Sequence, residues 1–286
     1  MPFYPARSFT LSFELFPPKT PAGEASLYEN VGHLMAFQPD VVTCTFGAGG
    51  STRDKTLEIT SQVRRRFGVR VASHLTCVGS TVEQLRGYLR DTRGAGIENI
   101  VALRGDPPKG ETAFKPVAGG LRYASELVEL IRGEFPSFGI AVAGYPETHQ
   151  EAISPQADLE NLARKVKAGG DCVITQLFYD NADFFRFRDR CKELDIAAPI
   201  IPGILPVTNL AQIQRIASLC KACLPPDFVA ELSQQGDDPD WQFRVGVRRA
   251  TQQVQELIDA GIPGIHFYVL NKSQATSAVL SGVKRP

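Results

Sequence analysis

Asn99-Ile100-Val101-Ala102-Leu103-Arg104-Gly105-Asp106-Pro107-Pro108 passes from an apolar run to a charged, glycine-turned and proline-stiffened exit. A short apolar run bounded by turn residues reads as a strand buried on both faces, the kind that parallel sheets use. Gly105 permits a sharp backbone turn and the two prolines restrict the chain beyond it, so Asp106 is expected as a carboxylate held at the strand's C-terminal rim. The plainer alternative for Asp106 is an Asx turn before proline.

The same unit recurs on both sides. Phe9–Phe16, Asp40–Phe46 and Arg70–Thr76 precede it; Ile140–Tyr145, Asp171–Phe178, Pro199–Ile204 and Gly264–Leu270 come after it. Together they make eight strands, most of them separated by roughly 30 to 40 residues, the period of a βα unit. The segments between read as helices. Leu57–Phe67 has apolar residues at helical spacing and a basic end, Arg64-Arg65-Arg66, that suits the C-terminal dipole. Ser154-Pro155 offers an N-cap and a first-turn proline. Gly94-Ala95-Gly96, Gly169-Gly170 and Gly261 fall where helices should stop. The pattern predicts an α/β fold, a single (β/α)8 TIM barrel over residues 1–286, with Leu224–Asp240 as a short insertion before the last βα unit. An open doubly wound sheet is the runner-up and would need a switch-point loop.

Lys plus Arg and Asp plus Glu each number 31 in 286 residues. A net charge of zero gives no long-range attraction to nucleic acid or an anionic membrane, so an anion must be held by local charge. The N-terminus lacks the apolar core of a secretory signal and no run is long enough to span a bilayer, which leads to a cytoplasmic expectation. The six cysteines are expected as buried small hydrophobes. Cys220-x-x-Cys223 has no second pair and no histidine pattern, so no metal is expected.

A barrel of this kind gathers its site at the C-terminal ends of its strands. Those ends read Glu14, Thr45, His74, Asp106, Tyr145, Gln176 and Asn209, with Lys272 after the last strand. Glu14 stands among Phe13, Leu15 and Phe16, which predicts a desolvated carboxyl with a raised pKa, suited to general acid work. The structural alternative is a glutamate that caps a helix or pairs with an arginine. Asp158, Asn161 and Lys165 form a polar stripe at helical spacing, either a solvated face or a contact for a polyhydroxyl chain or pyrophosphate. No GxGxxG is present and Gly47-Ala48-Gly49-Gly50 lacks the P-loop lysine, so a dinucleotide would not be held in the Rossmann manner. His74 and His149 stand between site and structure. His33 reads as packing or surface, and His266 as a satisfied core histidine.

Ser12-Phe13-Glu14-Leu15-Phe16-Pro17-Pro18-Lys19-Thr20 resembles the opening signature of the methylenetetrahydrofolate reductases. Matching segments continue in order through Val42–Ala48, His74–Cys77, Ile100–Asp106, Tyr145–His149, Gln156–Leu159, Ile174–Phe178, Pro202–Pro206 and His266–Asn271. The resemblance implies the short bacterial-type form, with FAD bound non-covalently at the barrel rim. It places Thr45, Phe46, Ala48 and His74 along the flavin, and Arg104, Gly105, Asp106 and Ala124 at the ring and phosphates. Tyr145, His149 and Ala152 fall on the adenosine side; Asp158, Asn161, Arg164 and Lys165 at the ribityl and pyrophosphate. Gln176 would meet both folate and nicotinamide, and Gln212 folate. The implied reaction is ping-pong: NAD(P)H reduces the flavin and leaves, then 5,10-methylenetetrahydrofolate takes the hydride, with Glu14 protonating N10 and Asp106 steadying the cationic folate. Methionine supply, a cytoplasmic homo-oligomer and the reverse, oxidative direction come with the same resemblance as expectations. Two departures stand out: Lys272 where the family has arginine, which replaces a bidentate grip with a point charge, and Phe46 where tyrosine is common. A Schiff-base barrel lyase is the rival, yet no strand carries a central lysine. A binding protein that lost the chemistry would be expected to have lost Glu14, Asp106 or Gln176.

Overall fold

The computed structural model describes all residues except Met1, Ala6, Ser8, 47–52, 108–109 and Thr112. Strands β1 (Thr10–Leu15), β2 (Val41–Cys44), β3 (Arg70–Thr76), β4 (Asn99–Leu103), β5 (Gly139–Gly144) and β6 (Cys172–Thr175) pair in sequence order, all parallel. Then come two short pieces, β7 (Ile200–Ile201) and β8 (Gly203–Ile204), and finally β9 (Gly264–Tyr268). The sheet order runs β7-β6-β5-β4-β3-β2-β1-β9-β8. Its two ends are therefore consecutive in the chain, parted only by Pro202. Proline has no N–H for the ladder; β7 pairs with β6, β8 pairs with β9, and the Pro202 carbonyl accepts from His266 N at 2.9 Å. The nine pieces thus form a closed ring of eight staves with the seventh broken at Pro202. That agrees with the expected barrel and leaves no edge for an open sheet.

The helices are α1 (Pro21–Leu34), α2 (Arg53–Phe67), α3 (Val82–Gly94), α4 (Ala124–Glu134), α5 (Pro155–Lys167), α6 (Asn181–Glu193), α7 (Leu210–Cys220), α8 (Pro226–Leu232), α9 (Pro239–Asp259) and α10 (Gln274–Gly282). Their starts reflect capping chemistry: Thr20, Thr81, Ser154, Asp180 and Asn209 each accept a first-turn backbone N–H. Their ends use the expected glycines, with Gly96, Gly169 and Gly261 at positive φ. The expected insertion is real: α8 docks Phe228 and Leu232 against Leu205, Val207, Ile213 and Val245, and Arg249 clamps it through Asp227 and Glu231.

Alternation along the strands separates two apolar layers. Phe13, Leu15, Ile100, Ala102, Ile140 and Val142 face the helices, while Val41, Ala72, Val101, Ala141 and Ile174 fill the barrel interior. Phe3 and Tyr4 join that inner layer as a plug beneath the N-terminal mouth. The plug explains Gly139: a Cβ there would lie 2.7 Å from Phe3 Cα and 2.8 Å from Phe3 N.

The cysteine expectation needs one correction. Cys44, Cys77, Cys172 and Cys191 are buried, but Cys220 is half-buried and Cys223 exposed. The chain leaves α7 through left-handed Lys221, and Cys223 N donates to Glu147 Oε1 at 2.8 Å, which leaves the thiol outside the core. No described helix is long and apolar enough to cross a membrane.

Candidate active site

Glu14 is the fifth residue of β1 and only 7% exposed. Its sequence neighbours Phe13 and Leu15 point to the helix layer, so the carboxylate looks inward and meets different company. Glu14 Oε2 lies 3.3 Å from His74 Nε2 on β3 and 3.4 Å from His266 Nε2 on β9. This corrects the raised pKa expected from the apolar neighbours. Burial does push the carboxyl up, but the charge of His74, the hydrogen bond from His266 and the closeness of both imidazoles together outweigh it and bring the group down to about 2. His266 is a satisfied core histidine, as expected, and also a partner of the acid.

Above this cluster the interior stays polar. Among the described residues Thr43 Oγ1, His74 Nε2 and Thr76 Oγ1 are buried without an aligned hydrogen-bond partner; the His74 contact to Glu14 is short but poorly directed. Thr43 and Thr76 share the inward parity of Val41 and Ala72. Buried donors and acceptors left open in this way are costly unless something polar meets them.

Asp106 leaves β4 at the same C-terminal mouth, exposed, three residues past Leu103. Gly105 makes the turn at φ 87°, and a Cβ there would strike Val78 at 2.7 Å. Arg104 lies back along the rim with Glu151, Nη1 to Oε2 at 2.9 Å and Nη2 to Oε1 at 2.6 Å, a two-pronged pair that no sequence pattern announces. Tyr145 stands edge-on to His149, ring centroids 4.6 Å apart. Loss of water and the nearby Arg104 charge lower His149, with Asp158 and Glu151 opposing.

The α5 stripe divides. Asp158 Oδ2 accepts from His149 N at 2.9 Å, and Lys165 Nζ donates to Ala143 O at 2.5 Å beneath the Tyr145 ring, so these two lean on the barrel. Loss of water lowers the Lys165 ammonium to about 8 against the pull of Asp158. Asn161 and Arg164 are exposed and bond to each other.

Thr45 and Phe46 come directly after β2, half-buried, with Phe46 edge-on to Tyr88 at 5.5 Å. Ala124 opens α4 and Ala152 N donates to His149 O. Gln176 comes directly after β6, with its Oε1 turned back onto Leu177 N at 3.1 Å. Asn209, expected at the rim as a site residue, serves as the α7 cap and bonds Gln212 N at 2.8 Å; the Gln212 side chain is exposed. Lys272 is exposed in the loop after β9. Asn271 just before it, at φ 58°, bonds both N and O of Phe16 and ties the first and last rim loops together. His33 is exposed, with Nδ1 3.3 Å from Ser273 Oγ. Ala48 lies outside the described residues.

Comparison with known proteins fits this geometry. Residues 4–284 match the family described as methylenetetrahydrofolate reductase. The chain is 41% identical over 269 residues to the Escherichia coli (strain K12) protein named 5,10-methylenetetrahydrofolate reductase, covering 94% of this chain and 88% of that one. It is 39% identical over 279 residues to the Arabidopsis thaliana protein named methylenetetrahydrofolate reductase (NADH) 1, covering 94% of this chain but 47% of that one. The chain thus spans about half the length of its plant relatives. Among solved structures, a Clostridium thermocellum protein described as binding two copies of 5-methyl-5,6,7,8-tetrahydrofolic acid superposes with a TM-score of 0.60, at 13% identity, over 96% of this chain and 94% of that one. That likeness carries the fold.

Proposed function

This chain belongs to the methylenetetrahydrofolate reductase family, and from that premise we propose that it reduces 5,10-methylenetetrahydrofolate to 5-methyltetrahydrofolate, with FAD as bound cofactor and NADH or NADPH as reductant. The observation that carries the reading is the buried Glu14 carboxylate held between two imidazoles on the inner face of the barrel.

The donor set suits FAD. Lys165, poor in water and lowered to about 8, gains from a neighbouring anion. With Arg104 and Arg164 it would hold the pyrophosphate, while Asp158 and Asn161 would meet ribityl hydroxyls and His149 the adenosine side. Thr45, Phe46, His74, Gly105, Ala124, Tyr145 and Ala152 would complete the cofactor's walls. The open polar atoms of Thr43, His74 and Thr76 suit the edge of a polar ring. Bound FAD would supply a two-electron carrier that separates nicotinamide oxidation from folate reduction.

The chain's own part is to move one proton and to steady one positive charge. Glu14 is ionised in the free protein. A substrate entering above it excludes water, which weakens the ionised form and lets the carboxyl take up a proton. Glu14 then protonates N10 of the folate, so the C–N bond breaks and a 5-iminium cation forms. Asp106 at the same mouth stabilises that cation through space. Gln176 would orient folate and nicotinamide in turn, with Gln212 and Lys272 reaching the distal end of the folate.

The test is direct. Purified protein mixed with FAD is expected to take on a bound-flavin spectrum and then to form 5-methyltetrahydrofolate from 5,10-methylenetetrahydrofolate and NADH or NADPH, identified by mass spectrometry. A protein that stays colourless after FAD and forms no methylated product overturns the proposal.

A further inference from the structure

A line of hydrogen bonds runs from the bottom of the barrel to Glu14. Tyr4 OH lies 2.7 Å from Ser12 Oγ, Ser12 Oγ lies 2.8 Å from His266 Nδ1, and His266 Nε2 lies 3.4 Å from Glu14 Oε2. Every member is buried, and Ser12 and His266 are fully enclosed. We propose that Tyr4, a residue of the N-terminal plug, is a positioning residue: acting through Ser12, it fixes the His266 tautomer with hydrogen on Nε2, aimed at Glu14. The proposal rests on the reading of Glu14 as proton donor.

The direction of the line comes from counting donors. Among the described residues, Ser12 Oγ is the only hydrogen-bond partner of the Tyr4 hydroxyl. A buried hydroxyl must place its hydrogen on an acceptor. Tyr4 keeps that hydrogen, because burial, with smaller help from Cys172, pushes its ionisation well above the ordinary tyrosine value. So Tyr4 donates to Ser12. Ser12 has one hydrogen of its own and donates it to His266 Nδ1. An Nδ1 that accepts leaves the ring's hydrogen on Nε2, where it faces the carboxylate. The reverse arrangement would orphan the Tyr4 hydrogen in an apolar layer formed by Phe3, Val41, Val101 and Ile174.

The other groups facing Glu14 do not replace this control. His74 approaches from β3 and Tyr268 is felt from β9, while Cys44 on β2 lies on the helix-facing side of its strand. Burial keeps the Cys44 thiol and the Tyr268 phenol protonated. Tyr268 is also committed to Thr175 O at 2.7 Å, edge-on to the His266 ring. His266 thus serves as the fixed donor to Glu14.

Tyr4→Phe keeps the ring against Phe3 and removes only the hydroxyl. It frees Ser12 to accept from Nδ1, so a tautomer that turns a lone pair toward Glu14 becomes available and the carboxyl binds its proton more tightly. In nitrogen-15 histidine spectra, with the His266 signals identified by their loss in His266→Asn, the wild type is expected to carry hydrogen on Nε2 and Tyr4→Phe a mixture of both forms. The folate half-reaction should lose rate at a pH about one unit higher in Tyr4→Phe, the scale of one hydrogen bond, with flavin reduction by NADH unchanged. Ser12→Ala cuts the same line from the strand and should give both changes. A wild-type His266 with hydrogen on Nδ1, or variants that leave either the tautomer or the pH profile unmoved, would overturn the proposal. Should the protein prove not to reduce folate at all, the function proposed above fails, whereas the tautomer is still read from the spectra.

Discussion

Glu14 shares a strand with Phe13 and Leu15 but not their surroundings. The period of two sends the apolar pair outward and the carboxylate inward, where two imidazoles hold it ionised. That has a consequence for stability. A carboxyl at about 2 in the folded chain, against an ordinary 4.5, contributes stability that is complete above pH 4.5 and lost as pH falls toward 2. Urea midpoints measured across that window should therefore fall more steeply for the wild type than for Glu14→Gln; parallel curves would mean that the imidazoles do not hold the charge. The sequence marked Glu14 correctly as a strand-end acid, but His266 is 252 residues away and its contact is a product of barrel closure. For the same reason the Arg104–Glu151 pair and the Asn271 tie to Phe16 were not legible. Asn209 was visible as a polar strand end, yet its position before Leu210 equally fitted a helix cap, and that is what it became.

At the scale of elements, periodicity and capping residues were informative. Ser154-Pro155 starts α5 and Gly261 ends the turn before β9. What the pattern did not reveal was the break at Pro202, since a missing N–H matters only once both neighbouring staves are in place. Glycine gives the clearest test here, because its cost or benefit depends on what surrounds it. Gly87 lies mid-helix in α3, and an added Cβ would meet only arginine ends, Arg53 at 3.7 Å and Arg90 at 3.9 Å. Gly87→Ala should stabilise the protein by roughly 0.5–1 kcal/mol. Gly246 in α9 sits directly against the Val207 carbonyl with no room for a Cβ. Gly246→Ala should cost about 1–3 kcal/mol as the helix is pushed off the loop after β8. Chemical denaturation of the two variants checks both signs; a stabilised Gly246→Ala would show that α9 does not pack as described.

For the whole molecule, eight apolar runs at a regular spacing sufficed to give the closed barrel and the mouth at which Glu14, Asp106 and Gln176 gather. Parallel staves make that legible, because every strand end falls on one face whatever the loops do. The plug formed by Phe3 and Tyr4 was not legible, since two aromatic residues near a terminus carry no period to read. Yet Tyr4 of the plug is joined through Ser12 and His266 to the Glu14 carboxylate, and so ties the floor of the barrel to the candidate site. In the proposed reaction Glu14 gives the proton that opens the folate ring and takes no part in oxidising nicotinamide. Stopped-flow reoxidation of the reduced, FAD-loaded protein by 5,10-methylenetetrahydrofolate measures that step alone. Glu14→Gln should slow it by about 10²- to 10⁴-fold, the range for loss of a general acid, while bleaching of the flavin by NADH proceeds at the wild-type rate. Reoxidation of Glu14→Gln at close to the wild-type rate would mean that Glu14 is not the proton donor.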